Sequence, residues 1–139
     1  ILIDFLVNGD VPTKQRAAAV LGRIGQRHPH LLTKHFNTFM TLLEDKTQHN
    51  AVHRAISRSY QYYTLSEDEQ GIFYEIGMMQ LQNHQAAIAV KAFLIKSLHN
   101  IAVQHSSLKR EFNLVLDELR IDASAGMQSR IKTYYFKDI

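Results

Sequence analysis

The stretch LLEDKTQHNAVHRA, residues 42–55, decides the fold of this chain. Leu42 and Leu43, followed by two acidic residues, are typical of the end of an amphipathic helix, and Arg54-Ala55 opens the next one. The polar residues between them are typical of a turn. The stretch therefore predicts two helices joined by a short connection.

Two sets of residues repeat this arrangement with a period close to 38 positions. A basic residue before a small or apolar one recurs at spacings of 38, 37 and 39, at Arg16, Arg54, Lys91 and Arg130. A leucine that closes an apolar stretch recurs at spacings of 37, 38 and 38, at Leu6, Leu43, Leu81 and Leu119. Because two independent markers share one period, we predict a structural repeat.

The repeat predicts an all-α fold, a short α-α superhelix or solenoid of stacked antiparallel helix pairs. One pair cannot bury both of its apolar faces, so each pair must pack on the next and the units form one elongated core. We expect a single domain over residues 1–139, with three units at about 10–45, 46–82 and 83–120, and half-units at 1–9 and 121–139.

Each predicted unit contains two helical segments. Ser66 followed by Glu69 is the pattern of a capping box, so one helix should begin directly after Ser66. Gly22 and Gly25 fall inside a segment, and we expect them to allow close helix packing there. The segments are predicted over residues 1–7, 16–26, 30–44, 50–63, 67–82, 85–104, 108–120 and 125–136.

Composition limits the classes of protein to which the chain can belong. Hydrophobic residues make up 45% of the chain, enough for a core, yet no apolar run approaches the roughly 20 residues that span a bilayer. The lack of cysteine excludes disulfides and suits a reducing compartment, so we expect a cytoplasmic protein that binds no membrane. The net charge is +3, and the excess lies in residues 1–60, which favours anionic partners.

These features resemble HEAT repeats, in which a leucine-leucine-acidic helix end precedes a turn and a basic residue. Residues 42–45 and Arg54 carry the match. The family places an Asp six residues before the basic residue, which implies a hydrogen-bonded ladder along the turns, and Asp10 and Arg16 have that spacing. The later positions of the ladder are polar but not acidic: Gln48, Gln85 and Ser124.

The whole chain is also similar to a group of small bacterial HEAT-like proteins of unassigned function. Residues 16–22, 89–92 and 124–126 carry this resemblance. Members of the group have sometimes been labelled adenylosuccinate lyase. The true lyases are much larger and contain a Ser/Gly-rich loop with a Met-Pro-x-Lys-x-Asn element, which this chain lacks. We therefore transfer no catalytic role to any residue.

No constellation in the sequence predicts an enzyme, a cofactor or a metal site. The chain has no Gly-x-Ser-x-Gly elbow, no cysteine and no glycine-rich phosphate loop. His49 and His53 are four residues apart, a spacing that places two ligands on one helical face. A metal site needs three or four converging ligands, however, and no third ligand stands at an obvious spacing. We interpret both as polar turn and surface residues.

The tyrosines Tyr60, Tyr62 and Tyr63 form an aromatic run with two interpretations. Tyrosine is common at binding surfaces because it joins a large apolar ring to a polar hydroxyl. The preferred interpretation is that these rings fill the wide end of a helix pair while their hydroxyls reach water. The run is therefore assigned to the core, and a binding surface is kept as the alternative.

The first functional hypothesis is a non-catalytic scaffold that holds a protein or peptide on its concave face. In HEAT solenoids the second helix of each pair lines that face. The resemblance therefore implies candidate partner-binding residues on those helices, at Lys34, Asn37, Thr41, Tyr74 and Asn113. The half-units leave apolar surface open at both ends, which also permits a homo-oligomer formed through the solenoid ends.

The alternative hypothesis is a nucleic-acid-binding module that uses the basic first half. Arg16, Arg23 and Arg27 have the spacing to share one side of a helix, and Arg54 and Arg58 continue that side in the next unit. These five residues are the candidate anion or phosphate contacts. HEAT-like DNA glycosylases hold the phosphate backbone on comparable surfaces. An ordinary solvated face is the other interpretation of the same arginines.

Overall fold

The computed structural model describes residues 1–139, and all of its regular elements are helical. A 3-10 turn at Ser106–Leu108 precedes the eighth helix, and there is no β-strand, so the prediction of an all-α fold is confirmed. No helix combines the length and the hydrophobicity that crossing a membrane would require. The helices are α1 (Leu2–Asn8), α2 (Val11–Ile24), α3 (Pro29–Lys34), α4 (Phe36–Glu44), α5 (Asn50–Tyr60), α6 (Glu67–Leu81), α7 (Ile88–Gln104), α8 (Lys109–Arg120) and α9 (Ala125–Tyr134).

The helices pack in two rows. In the first row, helices contact one another in chain order: α2 packs against α5, α5 against α7, and α7 against α9. The second row consists of α1, α4, α6 and α8, each of which packs against a first-row helix, and α4 also contacts α6. The four basic markers of the repeat all lie in first-row helices, and the four leucine markers all lie in second-row helices.

Helix α2 begins earlier than the sequence predicts, at Val11 instead of Arg16. The carboxylate of Asp10 accepts a hydrogen bond from the backbone amide of Thr13 at 2.9 Å, which caps the helix. Pro12 stands in the first turn, where its missing N–H would have no partner in any case. The early start adds a turn to the helix that carries Arg16 and Arg23.

The segment predicted as a single helix over residues 30–44 is divided at His35 into α3 and α4. The backbone of His35 lies at φ −110° and ψ 22°, outside helical geometry. Hydrogen bonding nevertheless continues through the break, because the His35 amide donates to Leu31 O and the Phe39 amide donates to His35 O. The division is therefore a local break in helical geometry, after which α4 packs against α5.

The capping box predicted at the start of α6 is confirmed. The Glu69 amide donates to the Ser66 hydroxyl at 3.2 Å, and the Ser66 amide donates to the Glu69 carboxylate at 2.9 Å. Ser124 caps α9 in a similar way by accepting from the Met127 amide at 3.3 Å. Both caps fix where a helix of one row begins after a turn from the other.

Tyr60 lies at the centre of the aromatic core. Its ring packs against Phe36, Phe39 and Phe73, with ring centroids 5.7 to 6.1 Å away. Its hydroxyl donates to the Leu32 carbonyl at 2.8 Å, and burial raises the pKa of this hydroxyl far above its usual range. The core interpretation of the tyrosine run is therefore confirmed for the Tyr60 ring, whereas the expectation that its hydroxyl reaches water is wrong.

Buried polar side chains bind the end of α4 to its neighbours. The His53 ring donates from Nε2 to Leu42 O at 2.9 Å, and the Gln80 amide donates to Leu43 O at 2.7 Å. The last carbonyls of a helix have no partner within the helix, and these side chains supply one from α5 and from α6. Side chains from both rows therefore bind the end of α4, next to the connection between α4 and α5.

Candidate anion-binding groove

The first row contains no acidic residue. All 13 Asp and Glu residues of the chain lie outside α2, α5, α7 and α9. The same four helices carry Lys14, Arg16, Arg23, Arg54, Arg58, Lys91, Lys96, Arg130 and Lys132. The modest net charge of the chain therefore conceals a strong separation of charge between its helices. Two carboxylates outside the row still lie near its start, since Asp10 is close to Arg16 and Asp45 is close to Lys14.

A groove of about 360 Å³ opens on this row and collects three of the predicted arginines. Arg23 reaches it from α2, and Arg54 and Arg58 reach it from α5. Phe93 of α7 also lines it, so the groove spans three consecutive helices of the row. The remaining lining residues are small or polar: Gln15, Ala18, Ala19, Gly22, Ala51 and Ala55.

Helical spacing explains why the arginines meet in this groove. Arg54 and Arg58 are four residues apart on α5 and therefore project from one face, toward the surface shared with α2. The short side chains around them leave space for two long ones. Gly22 contributes to this space, because the nearest atom to a Cβ built there is a guanidinium nitrogen of Arg58, at 3.9 Å.

The three guanidinium groups of the groove have no acidic partner. The one ion pair of the structure joins Arg120 and Asp117 of α8 at 3.8 Å. Arg23, Arg54 and Arg58 are all exposed, so their donors are satisfied by solvent. A guanidinium offers its donors in a planar fork that matches carboxylate and phosphate oxygens, so this arrangement is suited to binding an anion.

Arg16 and Arg27, the two other predicted anion contacts, do not line the groove. Arg16 is exposed on α2 and lies close enough to Asp10 to help lower the pKa of that carboxyl, which is lowered chiefly by hydrogen bonds from Thr13. Arg27 is exposed in the turn after α2. Both can extend the basic surface, but the structure brings together only Arg23, Arg54 and Arg58.

The five candidate partner-binding residues do not form one surface. Lys34, Asn37 and Thr41 are exposed on α3 and α4, and the Thr41 hydroxyl donates to Asn37 O at 3.0 Å. Tyr74 and Asn113 are buried, with 7% and 6% of their surface exposed. The expectation that these two contact a partner is therefore corrected, because their side chains belong to the interior.

The polar atoms of the two buried residues are used within the chain. The Tyr74 hydroxyl donates to Leu108 O at 3.5 Å, and burial raises the pKa of this tyrosine to about 12. The Asn113 side chain donates to Phe136 O at 2.7 Å and accepts from the Phe136 amide at 2.9 Å. Sequence spacing identifies a helix face but does not show that the C-terminal segment folds over it.

Sequence reasoning missed the basic residues of the later first-row helices. Lys91 is half-buried on α7, and burial lowers the pKa of its ammonium group. Lys96 lies on the same helix with its ammonium 3.7 Å above the centre of the Tyr62 ring. The sequence does contain a signal for these basic residues, because alternate predicted helices lack acidic residues. The charge of each half of the chain does not reveal it, because each half mixes both kinds of helix.

The histidines considered as metal ligands already have partners in the protein. His49 accepts from the Ala51 amide through Nδ1 at 3.0 Å. His53 is buried, which lowers its pKa, and it bonds to Leu42 O, so the interpretation of His53 as a polar turn or surface residue is wrong. The structure contains no group of three or more His, Asp or Glu side chains placed to hold a metal ion.

Comparisons of the chain with protein-family models, with curated proteins and with solved structures found no match. The function of the groove is therefore inferred from its own residues: three unpaired arginines, a half-buried phenylalanine and a row of helices without carboxylates.

Proposed function

We propose that this chain is a non-catalytic HEAT-like solenoid that binds the phosphate backbone of a nucleic acid along its first row. The observation that carries the proposal is the complete absence of Asp and Glu from α2, α5, α7 and α9. A polyanion that crosses this row meets one sign of charge over four helices. The proposal favours the nucleic-acid alternative over a protein or peptide partner.

The solenoid part of the proposal is supported by the order of packing. Each first-row helix contacts the first-row helix of the next repeat, and the basic markers Arg16, Arg54, Lys91 and Arg130 stand one on each of these helices. Repeats that contact only their neighbours produce an extended surface. Such a surface suits an extended ligand better than a small compact one.

The chemistry of the groove supports phosphate as the group that is recognised. Arginine binds phosphate oxygens through two parallel N–H donors, and phosphate contacts supply most of the non-specific affinity for nucleic acids. Arg23, Arg54 and Arg58 also have no carboxylate to displace before they bind. An acidic peptide offers carboxylates to the same donors, so it is included in the test as a competitor.

The proposal is tested by measuring binding of a labelled oligonucleotide as a function of salt concentration. We expect binding at low salt that weakens steeply as salt is added. The double variant Arg54→Gln and Arg58→Gln should make the slope of log affinity against log salt less steep by about 1.4 for a single strand or about 1.8 for a duplex, because two phosphate contacts are lost. Unlabelled polyglutamate should compete much less well than unlabelled oligonucleotide.

The matched control is the double variant Lys46→Gln and Arg110→Gln, which removes the same charge from exposed positions outside the first row. Its salt slope should equal that of the unaltered protein. Absence of binding at low salt would contradict the proposal. An equal loss in both double variants would contradict it as well, and stronger competition by polyglutamate would favour a protein partner.

A further inference from the structure

We infer that the nucleic acid held by the first row is single-stranded, with Phe93 and Tyr62 as stacking surfaces for its bases. This inference rests on the proposed function and specifies its ligand. Single-strand binding sites combine a basic groove along the backbone with aromatic rings on which bases stack. The first row provides both features side by side.

Phe93 supplies the aromatic surface of the arginine groove. It is half-buried on α7 and lines the same groove as Arg23, Arg54 and Arg58. The other apolar residues that line the groove are alanines, so this ring is its one large apolar surface. A phosphate held by the arginines leaves its attached base free to lie against the ring.

A second groove, of about 270 Å³, is lined by residues of α7 and of the turn after α5. Lys96 lies three residues after Phe93, which places the two side chains on one face of the helix. Lys96 lines this second groove together with Asn100 of the same helix and with Tyr62 from the turn after α5. Helix α7 therefore contributes Phe93 to the first groove and Lys96 to the second.

Tyr62 differs from its two tyrosine neighbours. Tyr60 is buried in the core, and Tyr63 packs against the Tyr60 ring and hydrogen-bonds to the Thr33 hydroxyl. Tyr62 keeps 63% of its surface exposed although the ammonium of Lys96 lies 3.7 Å from its ring centre. The structure thus divides the tyrosine run between the interior and the surface, and Tyr62 is the residue that can meet a ligand.

A duplex cannot use these rings in the same way. Its bases are paired and stacked inside the helix, so a protein surface meets mainly phosphates and sugars unless it enters a groove of the DNA. Bases of a single strand are free to turn outward and stack on side chains. Placing Phe93 and Tyr62 beside unpaired basic groups therefore favours the single strand.

The test compares oligothymidylate of about 12 nucleotides with a duplex of the same length at one salt concentration. We expect the single strand to bind more tightly. Phe93→Leu and Tyr62→Leu should each weaken single-strand binding by about tenfold, because each removes one stacking contact. Both variants should change duplex binding by less than about twofold.

Two controls separate stacking from a loss of folding. Phe5→Leu removes a partly exposed ring of α1, outside the first row, and should leave binding unchanged. Tyr62 is exposed, so Tyr62→Leu should keep the thermal midpoint of the unaltered protein even if Phe93→Leu lowers it. A fluorescent base analogue in the oligonucleotide reports stacking directly, and its quenching on binding should be reduced in each variant, because each removes one of the two rings.

The outcomes distinguish this inference from the proposed function. If neither nucleic acid binds at low salt, both the proposed function and this inference are wrong. If the duplex binds as tightly as the single strand, or if neither Phe93→Leu nor Tyr62→Leu weakens single-strand binding, only the inference is overturned. Retained quenching in both variants would overturn it too.

Discussion

Glycines of α2 and α6 show how much the role of one residue depends on its neighbours. A Cβ built on Gly25, directly after α2, would lie 2.9 Å from the Ser59 Cβ, so the end of α2 and α5 approach closely at this point. Gly71 in α6 is exposed, and no atom lies within 4 Å of a Cβ built there. The expectation of close helix packing agrees with the contact at Gly25 but not with Gly22, where the nearest atom to a built Cβ is the end of the Arg58 side chain at 3.9 Å.

We predict opposite effects of alanine at these two glycines. Gly25→Ala should lower the free energy of unfolding by about 1–3 kcal/mol, because the added methyl group forces α2 and α5 apart. Gly71→Ala should raise it by up to about 1 kcal/mol, because alanine favours the helix and meets no atom. Denaturant unfolding of both variants measures the difference, and a shift of the same sign in both would contradict the packing role of Gly25.

The C-terminal segment after α9 is held to the body of the protein by α7 and α8. The ring of His99 stacks on that of Phe136, with centroids 4.6 Å apart and planes 8° apart. Asn113 makes two hydrogen bonds to the Phe136 backbone. Burial lowers the pKa of His99, and Lys109 adds to the effect, so the stacked ring is neutral near pH 7.

This stacking predicts that acid destabilises the fold. An unfolded histidine takes up a proton at about pH 6.5, whereas the folded His99 resists it until a lower pH. The free energy of unfolding should therefore fall as the pH decreases below about 6.5. His99→Phe, which keeps a ring and removes the titration, should reduce the slope measured by chemical unfolding at a series of pH values.

The free energy of unfolding of His99→Phe should still depend on pH, because burial also lowers the pKa of His53. A slope identical to that of the unaltered protein would show that His99 does not titrate differently in the folded and unfolded states. The position of the C-terminal segment is checked by hydrogen exchange at the Phe136 amide, whose protection relative to the intrinsic exchange rate at each pH should decrease in acid.

Over the whole molecule, charge follows the two rows of helices. The first row has no carboxylate, whereas α6 of the second row begins with three acidic residues, Glu67, Asp68 and Glu69. These carboxylates interact favourably with the positive N-terminal end of the α6 dipole, which explains why they stand at the start of that helix. No comparable local reason accounts for the absence of acids from four separate first-row helices, so we assign it to the surface that these helices share.

A single carboxylate placed on the first row should therefore weaken binding of an anionic polymer. Ala19 is exposed and lines the arginine groove, so Ala19→Glu should fold normally and weaken oligonucleotide binding by at least about tenfold through like-charge repulsion. Thr41→Glu on α4 adds the same charge at an exposed position outside the row and should leave affinity unchanged. Equal losses in the two variants would mean that net charge, and not the row, controls binding.

The predictions that succeeded depended on local patterns. The all-α fold, the capping box at Ser66 and the start of α9 at Ala125 follow from helical spacing and from the residues that precede each helix. The early start of α2 and the break at His35 were not predicted. Tyr74 and Asn113 were misplaced because the C-terminal segment and the turn at Leu108 cover positions that look like a helix surface.

The sequence by itself determined the helices, their alternation and the placing of one basic marker on every second helix, because these depend on residues at most a few turns apart. Only the tertiary structure decided that Arg23, Arg54 and Arg58 share a groove with Phe93. That meeting depends on how α2, α5 and α7 are rotated against each other. Rotation is set by contacts between residues far apart in the chain, such as Gly25 with Ser59, and periodicity within one helix contains no information about it.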